Sequence, residues 1–160
     1  FFYRELLNAD IEKLDIEACV REWPDLEVQE QEAIRMFHGT DFPMLGATEV
    51  KAKYVDREGL RRELTTFKSK WPEMRRRLER QIIPVEEAML RLRLVGAPTL
   101  PEDIGLSRQR MRDSILLAQK IRRRYTILDL GLRMCMLDKW TDALFGREGI
   151  WEIKRPPINH

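Results

Sequence analysis

Two cysteines, two histidines and eight glycines among 160 residues leave few of the side chains from which reactive centres are built. Cys19 and Cys135 show neither metal-ligand spacing nor the even ladder of a disulfide framework, so reduced core thiols are expected. There is no HExxH pair, no GxSxG elbow and no Cys–His arrangement, which excludes the common nucleophile signatures. Glycine is too sparse and wrongly spaced for a phosphate loop. GAPTLPEDIG, residues 96–105, fits neither the dinucleotide nor the Walker pattern, and Pro98 and Pro101 withhold the N–H groups such a loop needs. No apolar run approaches the ~20 residues of a membrane span, and FFYRELLNAD lacks the charged-then-apolar order of a signal peptide. No membrane span and a cytoplasmic location are therefore expected. A net charge of +2, from 29 basic against 27 acidic residues, gives no overall field pointing to nucleic acid.

What is present is helical periodicity. With 43% apolar and 35% charged residues, the composition suits an all-α multi-helix bundle of about seven to nine helices around one core. The chain opens on Phe1 with an amphipathic pattern already under way, which reads as the tail of a longer helix and hence as a fragment. Asp15 is placed to cap a short helix that Trp23-Pro24 ends, and a second helix restarts at the proline. In that second helix Leu26, Ala33, Ile34 and Phe37 face a core while Glu27, Gln29, Glu30 and Gln31 face solvent. His38 to Pro43 is a break. His38 and Asp41 offer only two of the three ligands a metal site needs, and a C-capping Gly39 with a surface histidine accounts for them. A short helix is expected from Gly46 to Tyr54.

Asp56 then caps the cleanest pattern in the chain, with Leu60, Leu64, Phe67 and Trp71 forming one stripe. Pro72 is expected to restart the helix, giving a second row of Met74, Leu78 and Ile82, and Pro84 to impose a kink or a fresh N-terminus. Thr99 and Glu102 have capping-box spacing before a single turn that ends near Gly105. Ser107 caps a helix whose Met111, Ile115 and Ala118 form a row widened by Leu117 and Ile121. Tyr125 to Leu137 is apolar on nearly every side and reads as the buried centre of the bundle. Residues 1–145 thus form the helical unit, with an irregular tail at 146–160.

Basic clusters are the remaining source of chemistry, since arginine outnumbers lysine 21 to 8. Consecutive arginines on a helix point about 100° apart and cannot converge on one anion, so most of these are solvated faces. Arg122, Arg123 and Arg124, followed by Tyr125, differ because they fall at a junction between two helices. There guanidinium groups and backbone N–H groups can together meet a small phosphate.

GAPTLPEDIGLS at 96–107 and KIRRRYTILDL at 120–130, supported by KAKYVD at Lys51 to Asp56 and KSKWPEMRRRL at Lys68 to Leu78, carry a resemblance. On these blocks, densest from Leu90 to Leu130, the chain resembles the C-terminal part of the bacterial glycerol-1-phosphate dehydrogenase family. That family includes the AraM-like proteins and belongs to the iron-containing alcohol dehydrogenase and dehydroquinate synthase-like superfamily. The resemblance implies a dehydroquinate synthase-like C-terminal helical domain of a larger two-domain parent, partnered in the same chain by an N-terminal nucleotide-binding domain. It further implies reversible hydride transfer between NAD(P)H and dihydroxyacetone phosphate, giving sn-glycerol 1-phosphate for ether-lipid synthesis. A divalent metal (zinc, nickel or iron) would assist. The glycine-rich cofactor site and the Asp and two His metal ligands of such enzymes belong upstream of Phe1. This stretch itself therefore carries no cofactor-binding, metal or catalytic residue, and no metal role passes to His38. A homodimer is compatible with the resemblance, and a non-catalytic helical interaction module is the alternative from a different class.

Overall fold

Side chains that accept from exposed backbone N–H groups set where four of the nine described α-helices start. In a computed structural model describing residues 1–154, Asp15 Oδ1 accepts from the Ala18 amide at 2.9 Å and opens α2 (Ile16–Glu22). Asp56 Oδ1 accepts from Gly59 at 2.7 Å and opens α5 (Arg57–Gln81); Ser107 Oγ accepts from Arg110 at 3.1 Å and opens α7 (Arg108–Ala118). The other helices are α1 (Phe2–Asn8), α3 (Leu26–Phe37), α4 (Leu45–Lys53), α6 (Val85–Leu94), α8 (Ile127–Arg133) and α9 (Leu137–Phe145). Two 3-10 turns, Ile11–Lys13 and Pro101–Ile104, complete an all-α bundle with no strand among the described residues. No helix among them is long and apolar enough to cross a membrane.

The core lies where α1, α2, α5, α8 and α9 meet. Leu60, Leu64, Phe67 and Trp71 of α5 are buried there against Leu6, Ile11, Leu14, Cys19, Val20, Trp23, Leu130, Met134 and Trp140. Arg61 ties α5 to α2 by a bidentate pair with Glu17, at 2.7 and 2.9 Å. α3 and α4 form a helical hairpin closed on Ala33, Phe37, Ala47 and Val50, with Gly39 at φ +80° in the turn between them. α6 contributes no buried residue.

Pro72 does not restart a helix. α5 runs unbroken through it for 25 residues, with the ring on the exposed side. An interior proline costs about 3 kcal/mol. Burial of Phe67 and Trp71 before it and packing of Leu78 after it hold both halves in one helix. The expected helix across Tyr125 to Leu137 is likewise two helices. After α8 the Met136 amide bonds Gly131 O at 2.8 Å and the Cys135 amide bonds Leu132 O at 3.0 Å, the two bonds of a Schellman turn. Cys135 takes the left-handed position at φ +55°, and the chain reverses so that α9 packs on α8.

Smaller corrections follow from who reaches which amide. Asp103, rather than Glu102, caps the 3-10 turn: its Oδ2 accepts from Thr99 and Leu100 at 2.8 and 2.9 Å, while Glu102 pairs with Arg108 at 2.8 Å. Gln29 is buried, its Nε2 donating to Pro24 O at 3.0 Å, so it is not on the solvated side of α3. Ala118 and Ile121 are exposed, and Gln119 and Lys120, which follow α7, are buried instead. Cys19 is a core thiol but Cys135 is a surface residue. Gly146 to Lys154 is non-helical and folds back, with Trp151 N on Leu144 O at 3.0 Å, Ile153 N on Phe145 O at 2.8 Å and Arg108 Nη1 on Glu152 O at 2.7 Å. The rest of the expected tail, 155–160, lies outside the described residues.

Candidate functional site

The junction between α7 and α8 carries the four residues singled out for phosphate. Arg122, Arg123 and Arg124 are exposed in an irregular segment. Arg123 reaches back to α4, where Glu49 accepts at 3.0 and 3.2 Å, and this guanidinium holds the Glu49 carboxyl below the usual carboxylate range. Tyr125 remains 48% exposed. Its ring lies under the Arg133 guanidinium, 4.8 Å from centroid to Cζ, and partial desolvation together with the nearby Glu63 carboxylate pushes its phenol above the ordinary tyrosine value.

Beneath this segment is a buried network built from four parts of the chain. Lys53 Nζ, at the end of α4, donates to Asp129 Oδ1 at 2.5 Å and to the Gln119 carbonyl. Gln119 Nε2 donates to the same carboxylate oxygen at 2.9 Å, and Thr126 N and Oγ1 both donate to Asp129 Oδ2 at 2.8 Å. Arg133, one turn along α8, donates to Glu63 of α5 and, at 2.7 Å, to the Lys53 carbonyl. Asp129 retains 2% of its surface and Arg133 5%. Two cations face two carboxylates, so the charge balances, and no buried side-chain nitrogen or oxygen among the described residues lacks a partner.

Such a set is structural in its chemistry, because each of its charged groups already has a partner inside the fold. The Thr126–Asp129 capping box also takes the first amides of α8: Thr126 Oγ1 accepts from Leu128 at 3.2 Å. The exposed arginines above therefore have guanidinium charge to offer an anion. Beside Tyr125 a cleft of about 540 Å3 is floored by Phe67, Met74 and Leu130, with Arg62 and Lys70 at its rim. Among the described residues no group of three or more His, Cys, Asp or Glu side chains could hold a metal ion.

Of these residues the sequence pointed to Tyr125 and the arginines. Lys53, Glu63, Gln119, Asp129 and Arg133 were missed. Asp129 and Arg133 are the only charges between Thr126 and Met136, four residues apart and hence on one helix face. Charges so placed inside an apolar run mark a buried pair-forming site. No family model matches this chain, and neither does any curated protein or solved structure.

Proposed function

We propose that this chain is the helical domain of a protein similar to the NAD(P)-dependent sn-glycerol-1-phosphate dehydrogenases, forming one wall of a substrate cleft. The facing wall would be an N-terminal nucleotide-binding domain of the same parent. What supports the reading is that two separate blocks of the resemblance are joined to each other. Lys53, from KAKYVD, bonds Asp129 and Gln119 in and beside KIRRRYTILDL. The residues that carry the likeness are thus those that fix the geometry under Arg122 to Tyr125.

The described residues offer neither a metal-ligand group nor a glycine-rich cradle, so no step through metal or cofactor is assigned to them. In the reaction the nicotinamide would supply the hydride to the ketone of dihydroxyacetone phosphate. This chain's part is binding: exposed Arg122 and Arg124 present planar donor pairs that suit a phosphate dianion, while Arg123 is held by Glu49.

The test is NAD(P)H oxidation by the full-length parent with dihydroxyacetone phosphate. Arg122→Ala and Arg124→Ala are expected to raise KM for dihydroxyacetone phosphate about tenfold or more, as loss of a charge-assisted bond of ~1.5–3 kcal/mol implies, and to leave KM for the nicotinamide cofactor unchanged. A parent without this activity would overturn the reading. One observation favours the alternative of an interaction module: α6 buries nothing, and Leu94 and Val95 at its end are each 77% exposed.

A further inference from the structure

Along α5, beside the stripe that enters the core, Arg62, Thr66, Lys70 and Met74 follow one another four residues apart, so each side chain neighbours the next. All four are exposed. They border the cleft of about 540 Å3 whose floor includes Phe67 and Leu130, each 8% exposed and each rooted in the core. Met74, 37% exposed, and the ring of Tyr125 add to its apolar surface. Small-molecule sites have volumes of about 300–1,000 Å3, and this cleft falls among them.

The cleft is apolar below and cationic at its edge. Glu63, the one carboxylate lining it, accepts from Arg133, so its charge is already answered inside the fold. Lys70 has no carboxylate partner among the described residues, and Arg62 meets Glu58 at 3.6 Å with both side chains more than half exposed. So loose an exposed pair contributes little and gives way to a better-placed anion. The apolar surface also stops at the cleft: the neighbouring Glu73 lines a separate, charged recess with Arg76, Arg77 and Arg80. What is left is the footprint of a small amphiphile rather than the ~800 Å2 that each partner gives to a stable protein interface.

We propose that this cleft binds a free medium-chain fatty carboxylate, its chain lying on Phe67, Met74 and Leu130 and its carboxylate at the rim between Arg62 and Lys70. The floor takes the chain out of water, and the two cations decide which end stays at the surface. A neutral or cationic amphiphile gains the first contribution and lacks the second. The inference rests on the cleft alone and stands apart from the dehydrogenase reading, whose phosphate contacts are Arg122 and Arg124.

Calorimetric titration of the full-length parent with decanoate, kept below its micelle concentration, tests this. One saturable site with Kd on the order of 10–100 µM is expected. Decanol and decylamine, which keep the chain and lack the negative head, should bind roughly tenfold more weakly or worse, and acetate should give no saturable heat. Thr66→Trp, which sets an indole into the cleft from an exposed position, should abolish decanoate binding. Arg62→Gln combined with Lys70→Gln should weaken decanoate roughly tenfold and leave decanol unchanged. These positions are on the helix surface, and unfolding curves that match the wild type show that the variants retain the fold. Decanol binding as tightly as decanoate, or decanoate binding that survives Thr66→Trp, would overturn the proposal. So would no binding at all, the result expected if another part of the parent or a second copy covers the cleft.

Discussion

Lys53 and Asp129, 76 residues apart in the chain, meet at 2.5 Å with 9% and 2% of their side chains exposed. Removing one partner of such a pair strands the other charge in a site that water cannot reach. Lys53→Met and Asp129→Leu are each expected to destabilise the fold by about 3–5 kcal/mol, whereas the double variant, which strands no charge, should recover much of that loss. Urea unfolding of the four species checks this. Additive single losses would show that the two residues act independently.

Gly131 of α8 and Trp140 of α9 form the second close relationship. A Cβ on Gly131 would stand 2.7 Å from the indole ring, inside any real carbon–carbon contact. Gly131→Ala should therefore push the two helices apart and cost roughly 1–3 kcal/mol, although alanine is the better helix former. Thermal unfolding tests the sign. Adding Trp140→Leu should recover part of the loss by opening the space that the methyl needs.

Caps and periodic stripes were legible because each is local: Asp15, Asp56 and Ser107 satisfy amides three residues away, and the α5 stripe repeats every three to four residues. The continuity of α5 through Pro72 was not legible, since it depends on Trp71 being buried in, and Leu78 packing against, a core built from other parts of the chain. The division between α8 and α9 was hidden by the residue at the turn. A glycine at position 135 would have announced a helix end, and a cysteine in an apolar run did not. The candidate site was legible only at its surface edge. Its foundation is a set of contacts between residues 53, 63, 119, 129 and 133, which no spacing in the sequence brings together.

Asp103 gives an acid-side dependence. Hydrogen bonds from the Thr99 and Leu100 amides hold its carboxyl below the usual value, and arginine or lysine partners do the same for Glu17, Glu49 and Asp10. Depressed carboxylates contribute stability that is present above their unfolded pKa, about 4, and lost as pH falls through the folded values. The melting temperature should hold from neutral pH to about pH 5 and then decline. Asp103→Asn should flatten part of that decline, and amide exchange at Thr99 and Leu100 should quicken in the same variant.

The Schellman turn makes a prediction for the reduced protein. Cys135 holds φ +55°, which costs a residue with a Cβ about 1–2 kcal/mol that glycine avoids. Cys135→Gly should gain about 1 kcal/mol in the presence of reductant. Cys135→Ala, which removes the thiol but keeps the Cβ, should not gain. Comparing the two by urea unfolding separates backbone strain from the contribution of the thiol itself.

Tyr125 sets the alkaline limit. Partial desolvation first, and then the Glu63 carboxylate beside it, push the phenol upward, with the Arg133 guanidinium opposing them in part. A raised acid favours the folded chain through its neutral form. That contribution is whole below the unfolded tyrosine pKa of about 10 and is lost as pH rises through the higher folded value. Unfolding free energy should therefore fall across this alkaline range in the wild type and fall less in Tyr125→Phe. A phenolate absorbance titration of the wild type should show a late step that the Tyr125→Phe variant lacks. If no such late step appears, the Tyr125 hydroxyl is free in water and neither its desolvation nor Glu63 acts on it in solution.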